Sequence, residues 1–144
     1  MSTQRFRYEE PSLADIEYLE DRLYEFNRAA TGITDGQSLG VFLRDATQSI
    51  VAAAAGHTWG GTCELRQVWV SEPLRRQGIG RDLLAEAELE AVRRGCVQII
   101  LTTHSFQAPE FYEKLGFEPI SEVAEYPRGY SQVVFRKRLP AGAG

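Results

Sequence analysis

The stretch Val68-Trp69-Val70-Ser71-Glu72-Pro73-Leu74-Arg75-Arg76-Gln77-Gly78-Ile79-Gly80-Arg81 constrains the fold more than any other, because an apolar strand runs through a basic, glycine-containing turn into a long amphipathic helix. Gly78 and Gly80 carry no side chain, so the backbone there can come close to a ligand, and the first amides of the next helix have no carbonyl four residues back. The helix dipole adds partial positive charge at that end, and Arg75, Arg76 and Arg81 add whole charges, so the turn reads as a seat for a phosphate-bearing ligand. It is not a Walker loop, since no Gly-Lys-Ser/Thr follows at the required spacing. It also departs from the dinucleotide fingerprint, since Leu83 stands where a third glycine is wanted. The remaining pattern, Arg-x-x-Gly-x-Gly, also fits a helix start that merely needs small residues.

With 144 residues the chain is long enough for one substantial core and too short for two, which predicts a single domain over 1–139 and a disordered tail over 140–144. Hydrophobic content of 43% and charged content of 25% argue against disorder. No apolar run approaches membrane-spanning length, and Met1-Ser2-Thr3-Gln4-Arg5 lacks the apolar centre of a signal peptide, so the expected compartment is cytoplasmic with no membrane partner. A net charge of −4 disfavours nucleic acid and is compatible with a cationic amine. Cys63 and Cys96 form neither a redox pair nor, with the two histidines, a zinc ligand set, so no metal is expected and both read as buried thiols.

Arg5 to Tyr8 reads as a first strand. Ser12 followed by Asp15 is a capping-box-like start for a helix whose apolar face is Leu13, Ile16, Leu19, Leu23 and Phe26, ending near Asn27 to Gly32. Gly32 to Ser38 has loop composition. Val41 to Arg44 and Ser49 to Ala55 read as strands joined at Asp45 to Gln48, the alanine run being cut short by Gly56. Gly60-Gly61 marks a turn, and Thr62 to Val70 is a long strand that Pro73 closes. From Gly78 to Arg94 the apolar positions Ile79, Leu83, Leu84, Ala87, Ala91 and Val92 share one helical face, with Gly95 as the C-cap. Val97 to Thr102 reads as a buried parallel strand after this crossover helix, Pro109 to Gly116 as a short helix, and Phe117 to Val123 with Ser131 to Leu139 as a terminal antiparallel pair.

The turn Arg75-Arg76-Gln77-Gly78-Ile79-Gly80 and, downstream, Phe111-Tyr112-Glu113-Lys114-Leu115-Gly116-Phe117 together resemble the pyrophosphate loop and the terminal segment of the cofactor domain in the GNAT N-acetyltransferase superfamily. The resemblance spans Arg5 to Leu139 and is densest from Gly61 to Pro119. It implies an α/β (α+β) fold with a mixed, strongly twisted sheet in the order β-α-β-β-β-α-β-α-β-β, helices on both faces, and acetyl-CoA as cosubstrate. The pyrophosphate would rest on the amides from Gln77 to Arg81, with Arg75, Arg76 and Arg81 either adding charge or merely solvated. The pantetheine would lie like an added strand along Val68, Trp69 and Val70. Ser105 stands where many members carry a pantetheine-contacting asparagine.

The implied activity is direct acetyl transfer to a primary amine, which could belong to a small amine, an amino acid, an aminoglycoside-like antibiotic or a protein lysine or N-terminus, the compact size leaning towards a small molecule. Such an amine is mostly protonated at neutral pH, which puts about 4 kcal/mol in the way of attack and calls for a base. Glu64, eleven residues before Arg75, is that base in the resemblance, acting directly or through water, or else it makes only a salt bridge. Simple alternation puts Glu64, Arg66, Val68 and Val70 on one face, an expectation that inverts beyond any bulge. Tyr112 is the implied general acid, or an ordinary core tyrosine. His104 is a second base, an acceptor contact or a structural residue, and His57 has a turn role. The alternatives from other classes are a non-catalytic acetyl-CoA sensor and an interaction protein whose terminal strands form a homodimer.

Overall fold

The computed structural model describes residues 5–140, so the expected tail beyond Pro140 lies outside the described residues. Two units are present, residues 1–34 and residues 35–144.

The first unit carries α1, Leu13–Thr31. Its start is the expected capping box: the Ser12 hydroxyl accepts from the Asp15 amide at 3.0 Å, and the Asp15 carboxylate accepts from the Ser12 amide at 3.0 Å. Gly32, at φ 75°, ends the helix by donating to the Arg28 carbonyl at 2.7 Å. The expected strand at Arg5–Tyr8 is absent, and the order becomes α-β-β-β-α-β-α-β-β. Alternating charge and aromaticity make a strand only where an edge accepts it, and the one regular element among the described residues of this unit is a helix.

The second unit is a six-stranded sheet with two helices, comprising β1 (Gln37–Arg44), β2 (Ile50–Trp59), β3 (Thr62–Val70), α2 (Ile79–Arg93), β4 (Gln98–His104), α3 (Pro109–Lys114), β5 (Glu118–Ala124) and β6 (Ser131–Arg138). The spatial order is β1-β2-β3-β4-β6-β5, antiparallel except for β3 with β4, which α2 connects as a crossover. Leu83, Leu84, Ala87 and Ala91 of α2 are buried in one cluster with Leu39, Ala52, Ala54, Cys63, Leu65, Ile99, Leu101 and Phe135 of the sheet. Each large aliphatic side chain buried this way contributes about 2 kcal/mol.

The alanine run is strand despite its helical propensity. Ala52 and Ala54, fully buried beneath α2, are small because the helix lies close above them. Gly56 does not end β2, which continues through His57 to Trp59. Its role is clearance: a Cβ there would sit 1.8 Å from the Glu64 carbonyl oxygen.

The β2–β3 register shifts beside Gly56, pairing Gly56 with Leu65 and Ala55 with Gln67, so Arg66 is an extra residue in β3. Cys63 and Leu65 face α2, and beyond the bulge Val68 and Val70 pack against that same core. Glu64 therefore lies on the opposite face from Val68 and Val70, and simple alternation fails at Arg66. β3 and β4 pair only from Thr62 with Gln98 to Leu65 with Leu101, after which they part. β6 takes the rest of β4, pairing through to His104 with Gln132.

Candidate active site

The parting of β3 from β4 opens a cleft on the C-terminal ends of two parallel strands, where ligands enter open α/β sheets. Two adjoining cavities fill it. One, of about 310 Å³, is lined by Leu65 to Trp69, Leu101 to Thr103, Gln107 and Tyr112. The other, of about 680 Å³, runs from Val68, Trp69 and Val70 along Leu74, Arg75, Arg76, Gly78, Ile79, Gly80 and Arg81 to Phe106, Ala108, Phe111 and Tyr112.

The basic turn folds as a short 3-10 helix, Glu72–Leu74, followed by Arg75 in extended conformation. Arg75 Nε donates to the Val70 carbonyl at 2.9 Å, which ties the turn back to the end of β3. Gly78 is the N-cap of α2 at φ 81°, a left-handed conformation that glycine adopts without strain. The first helical bond is Asp82 to the Gly78 carbonyl at 3.0 Å, so the amides of Ile79, Gly80 and Arg81 are left for an anion. A Cβ on Gly80 would come within 3.1 Å of the Phe111 ring and 3.8 Å of Val70, which shows how closely α2, α3 and β3 converge there.

Tyr112 borders both cavities. It is also a core residue, 8% exposed, edge-on to Phe111 and Phe117 and tilted against Phe135. Burial pushes its phenol pKa up, so the group stays protonated and able to donate. Residues 112 to 117 hold it in place: the Phe117 amide donates to the Tyr112 carbonyl at 3.0 Å and the Gly116 amide to Glu113 at 3.1 Å, a Schellman closure of α3.

The structure thus brings Val68, Trp69, Val70, Arg75, Arg76, Gly78, Ile79, Gly80, Arg81 and Tyr112 to one cleft. Gln77, Ser105 and Glu64 are not among its lining residues. Gln77 donates through its side chain to the Pro73 carbonyl at 3.0 Å, shaping the turn. Ser105 accepts from the Ser131 amide at 3.1 Å and donates its own amide to the Ser131 carbonyl at 2.8 Å, clamping β6 to the end of β4. Glu64 accepts from Arg66 Nε at 3.0 Å and lies 3.7 Å from His57 Nδ1, directly opposite it in the ladder. His57 is therefore a strand residue beside Glu64, outside the Gly60-Gly61 turn.

Thr102, Thr103, Phe106, Gln107 and Phe111 are among the further residues that line the cleft, and their sequence pattern does not mark them as site residues. Gln107 accepts through Oε1 from the His104 amide at 2.9 Å, closing the turn after β4. Among the described residues no cluster of three or more His, Cys, Asp or Glu could hold a metal ion. No helix among them is long and apolar enough to cross a membrane.

Residues 37–119 match the family model for the acetyltransferase (GNAT) domain. The chain is 33% identical over 121 residues to the acetyltransferase Atu2258 of Agrobacterium fabrum, covering 84% of this chain and 88% of that one. It is 30% identical over 91 residues to the blasticidin-S acetyltransferase of Streptomyces morookaense, covering 62% and 67% respectively. A crystal structure of an acetyltransferase from Bacillus cereus superposes with a TM-score of 0.74 at 30% identity, over 95% of this chain and all of that one.

Proposed function

The chain belongs to the GNAT acetyltransferase family, and from that membership we propose that it is an acetyl-CoA-dependent enzyme acetylating the primary amine of a small molecule, as one domain over residues 1–139. The observation that carries this reading is the continuous cleft from the N-terminus of α2 to Tyr112. The donor set fits a pyrophosphate: three amides at a helix N-terminus, with Arg76 and Arg81 beside them. Bound acetyl-CoA supplies the activated thioester. Val68 to Val70, parted from β4, offer a strand edge along which its pantetheine would lie, and Phe111 walls that path.

Tyr112 donates its hydroxyl proton towards the sulfur as the carbon–sulfur bond breaks. The amine nitrogen forms the new amide, and its lost proton passes to a base. Glu64, on the far face of β3, serves as that base through water rather than by direct contact, because Arg66 holds its carboxylate. Neither cysteine takes part: both are buried, and burial pushes the Cys63 thiol up to about 11. Transfer is direct, and sequential kinetics are expected.

One observation favours a second reading. A Glu64 engaged by Arg66 also suits a non-catalytic acetyl-CoA sensor with an intact loop. Calorimetric titration with acetyl-CoA, with Gly78→Asp and Gly80→Asp as blocked controls, tests the site; CoA release over a panel of amines then separates enzyme from sensor. Absence of binding in the wild type sinks both.

A further inference from the structure

Four rings from two distant stretches meet at the mouth of the cleft. His104, the last residue of β4, stacks on Phe106 with centroids 5.4 Å apart and planes 8° from parallel. Tyr126 meets His104 edge-on at 5.0 Å, and Tyr130 meets Phe106 edge-on at 5.1 Å. Phe106 is at once part of this cluster and a wall of the larger cavity, so the rings continue the cleft outward.

Phe106, Tyr126 and Tyr130 are 56%, 50% and 54% exposed, so their mutual contacts leave broad ring surface in water. A free loop tip would not hold such rings together. Here the Tyr126 amide donates to Tyr130 at 3.2 Å, the Tyr130 amide to Pro127 at 2.8 Å, and the Ser105–Ser131 pair locks the loop base to β4. His104 Nδ1 lies 3.0 Å from the Tyr126 carbonyl. A carbonyl only accepts, so Nδ1 carries the proton and, in the neutral ring, Nε2 keeps a lone pair for a ligand N–H. The cluster is therefore a preorganised set of π faces, with polar atoms on the His104 ring and on the two tyrosine hydroxyls.

We infer that the His104–Phe106–Tyr126–Tyr130 cluster is the acceptor-recognition surface, and that it selects small primary amines whose body is a flat, conjugated ring. This rests on the acetyltransferase reading and narrows its substrate class. The ring of the acceptor extends the offset His104–Phe106 stack while the amine points down the cleft towards Tyr112.

The test compares benzylamine with cyclohexylmethylamine, equal in connectivity and differing in the flatness of the ring, by calorimetry on the CoA-loaded full-length chain. The wild type should bind benzylamine about fivefold more tightly. Tyr126→Leu and Tyr130→Leu should each bring the pair within about twofold, while their acetyl-CoA affinity stays wild-type and shows that the fold is intact. Equal affinity for the two amines in the wild type, binding of neither, or a preference that survives both substitutions would overturn the assignment. The acetyltransferase reading fails separately, at the acetyl-CoA titration.

Discussion

Gly56 faces the backbone of Glu64 so closely that a Cβ on Gly56 would lie 1.8 Å from the Glu64 carbonyl oxygen and 2.9 Å from Leu65 Cα. The contact sits where the β2–β3 register shifts, and the extra residue, Arg66, turns β3 away from β4. The cleft therefore depends on a glycine in the neighbouring strand that lines neither cavity. Gly56→Ala must displace backbone rather than a flexible side chain, and the expected cost is about 3 kcal/mol in urea unfolding. Acetyl-CoA affinity should fall with it; a variant within about 0.5 kcal/mol of wild type would show that the bulge tolerates the methyl group.

Tyr112 combines a core position with a place on both cavities. Tyr112→Phe keeps the ring packing against Phe117 and Phe135 and removes only the donor, so kcat should drop about 10²-fold with acetyl-CoA affinity little changed. Burial raises the phenol pKa above its ordinary 10.0, so its loss of a proton lies beyond that pH and kcat should show no fall attributable to it below pH 10. Wild-type kcat in the Phe variant would leave Tyr112 with a packing role alone.

The parts of this fold carried by local pattern were legible. Thr62 to Val70, the Ser12–Asp15 cap, and the apolar stripe Leu83, Leu84, Ala87, Ala91 are each set by neighbours along the chain, and each is found where expected. What failed depended on partners. Arg5 to Tyr8 has the alternation of a strand without an edge to join, and Gly56 looked like a terminator because the backbone it clears lies eight residues on. The site divides in the same way. The Arg75 to Arg81 turn was readable as one contiguous motif, whereas the bulge at Arg66 and the meeting of Phe106 with Tyr130 arise only from register, β2 against β3 and β4 against β6.

Arg94 fastens the helix whose N-terminus lines the cleft. Its guanidinium pairs with Glu90 at 2.8 Å and donates to Thr58 Oγ1 at 3.1 Å and the Ser38 carbonyl at 3.0 Å, so the end of α2 is bound to β1 and β2. With 17% of its side chain exposed, the group is shielded enough for these bonds to count. Arg94→Met keeps the stem and removes the donors, leaving the buried Thr58 hydroxyl only its longer, 3.5 Å bond to the Gln37 carbonyl, and should cost about 2 kcal/mol in urea unfolding. High salt should not mimic the loss, because most of it comes from hydrogen bonds rather than from a screened surface pair.

Cys63 makes alkaline stability a probe of the core. Burial, its first cause, and then the neighbouring Cys96 push its thiol up to about 11 from 9.0, with the Arg94 charge opposing them. Burial likewise raises Cys96. A thiol that ionises more readily in the unfolded chain binds fewer protons there than in the folded one. Stability is therefore fully present below pH 9 and falls as the pH rises towards 11, by up to about 2 kcal/mol for this one group. Cys63→Ala should lower stability at pH 7 through the lost packing yet flatten the slope between those pH values, with Cys96 supplying what remains. Urea unfolding at pH 7, 9 and 10.5 on both proteins measures the difference, and parallel slopes in the two would mean that the thiol ionises in the folded chain as easily as in the unfolded one.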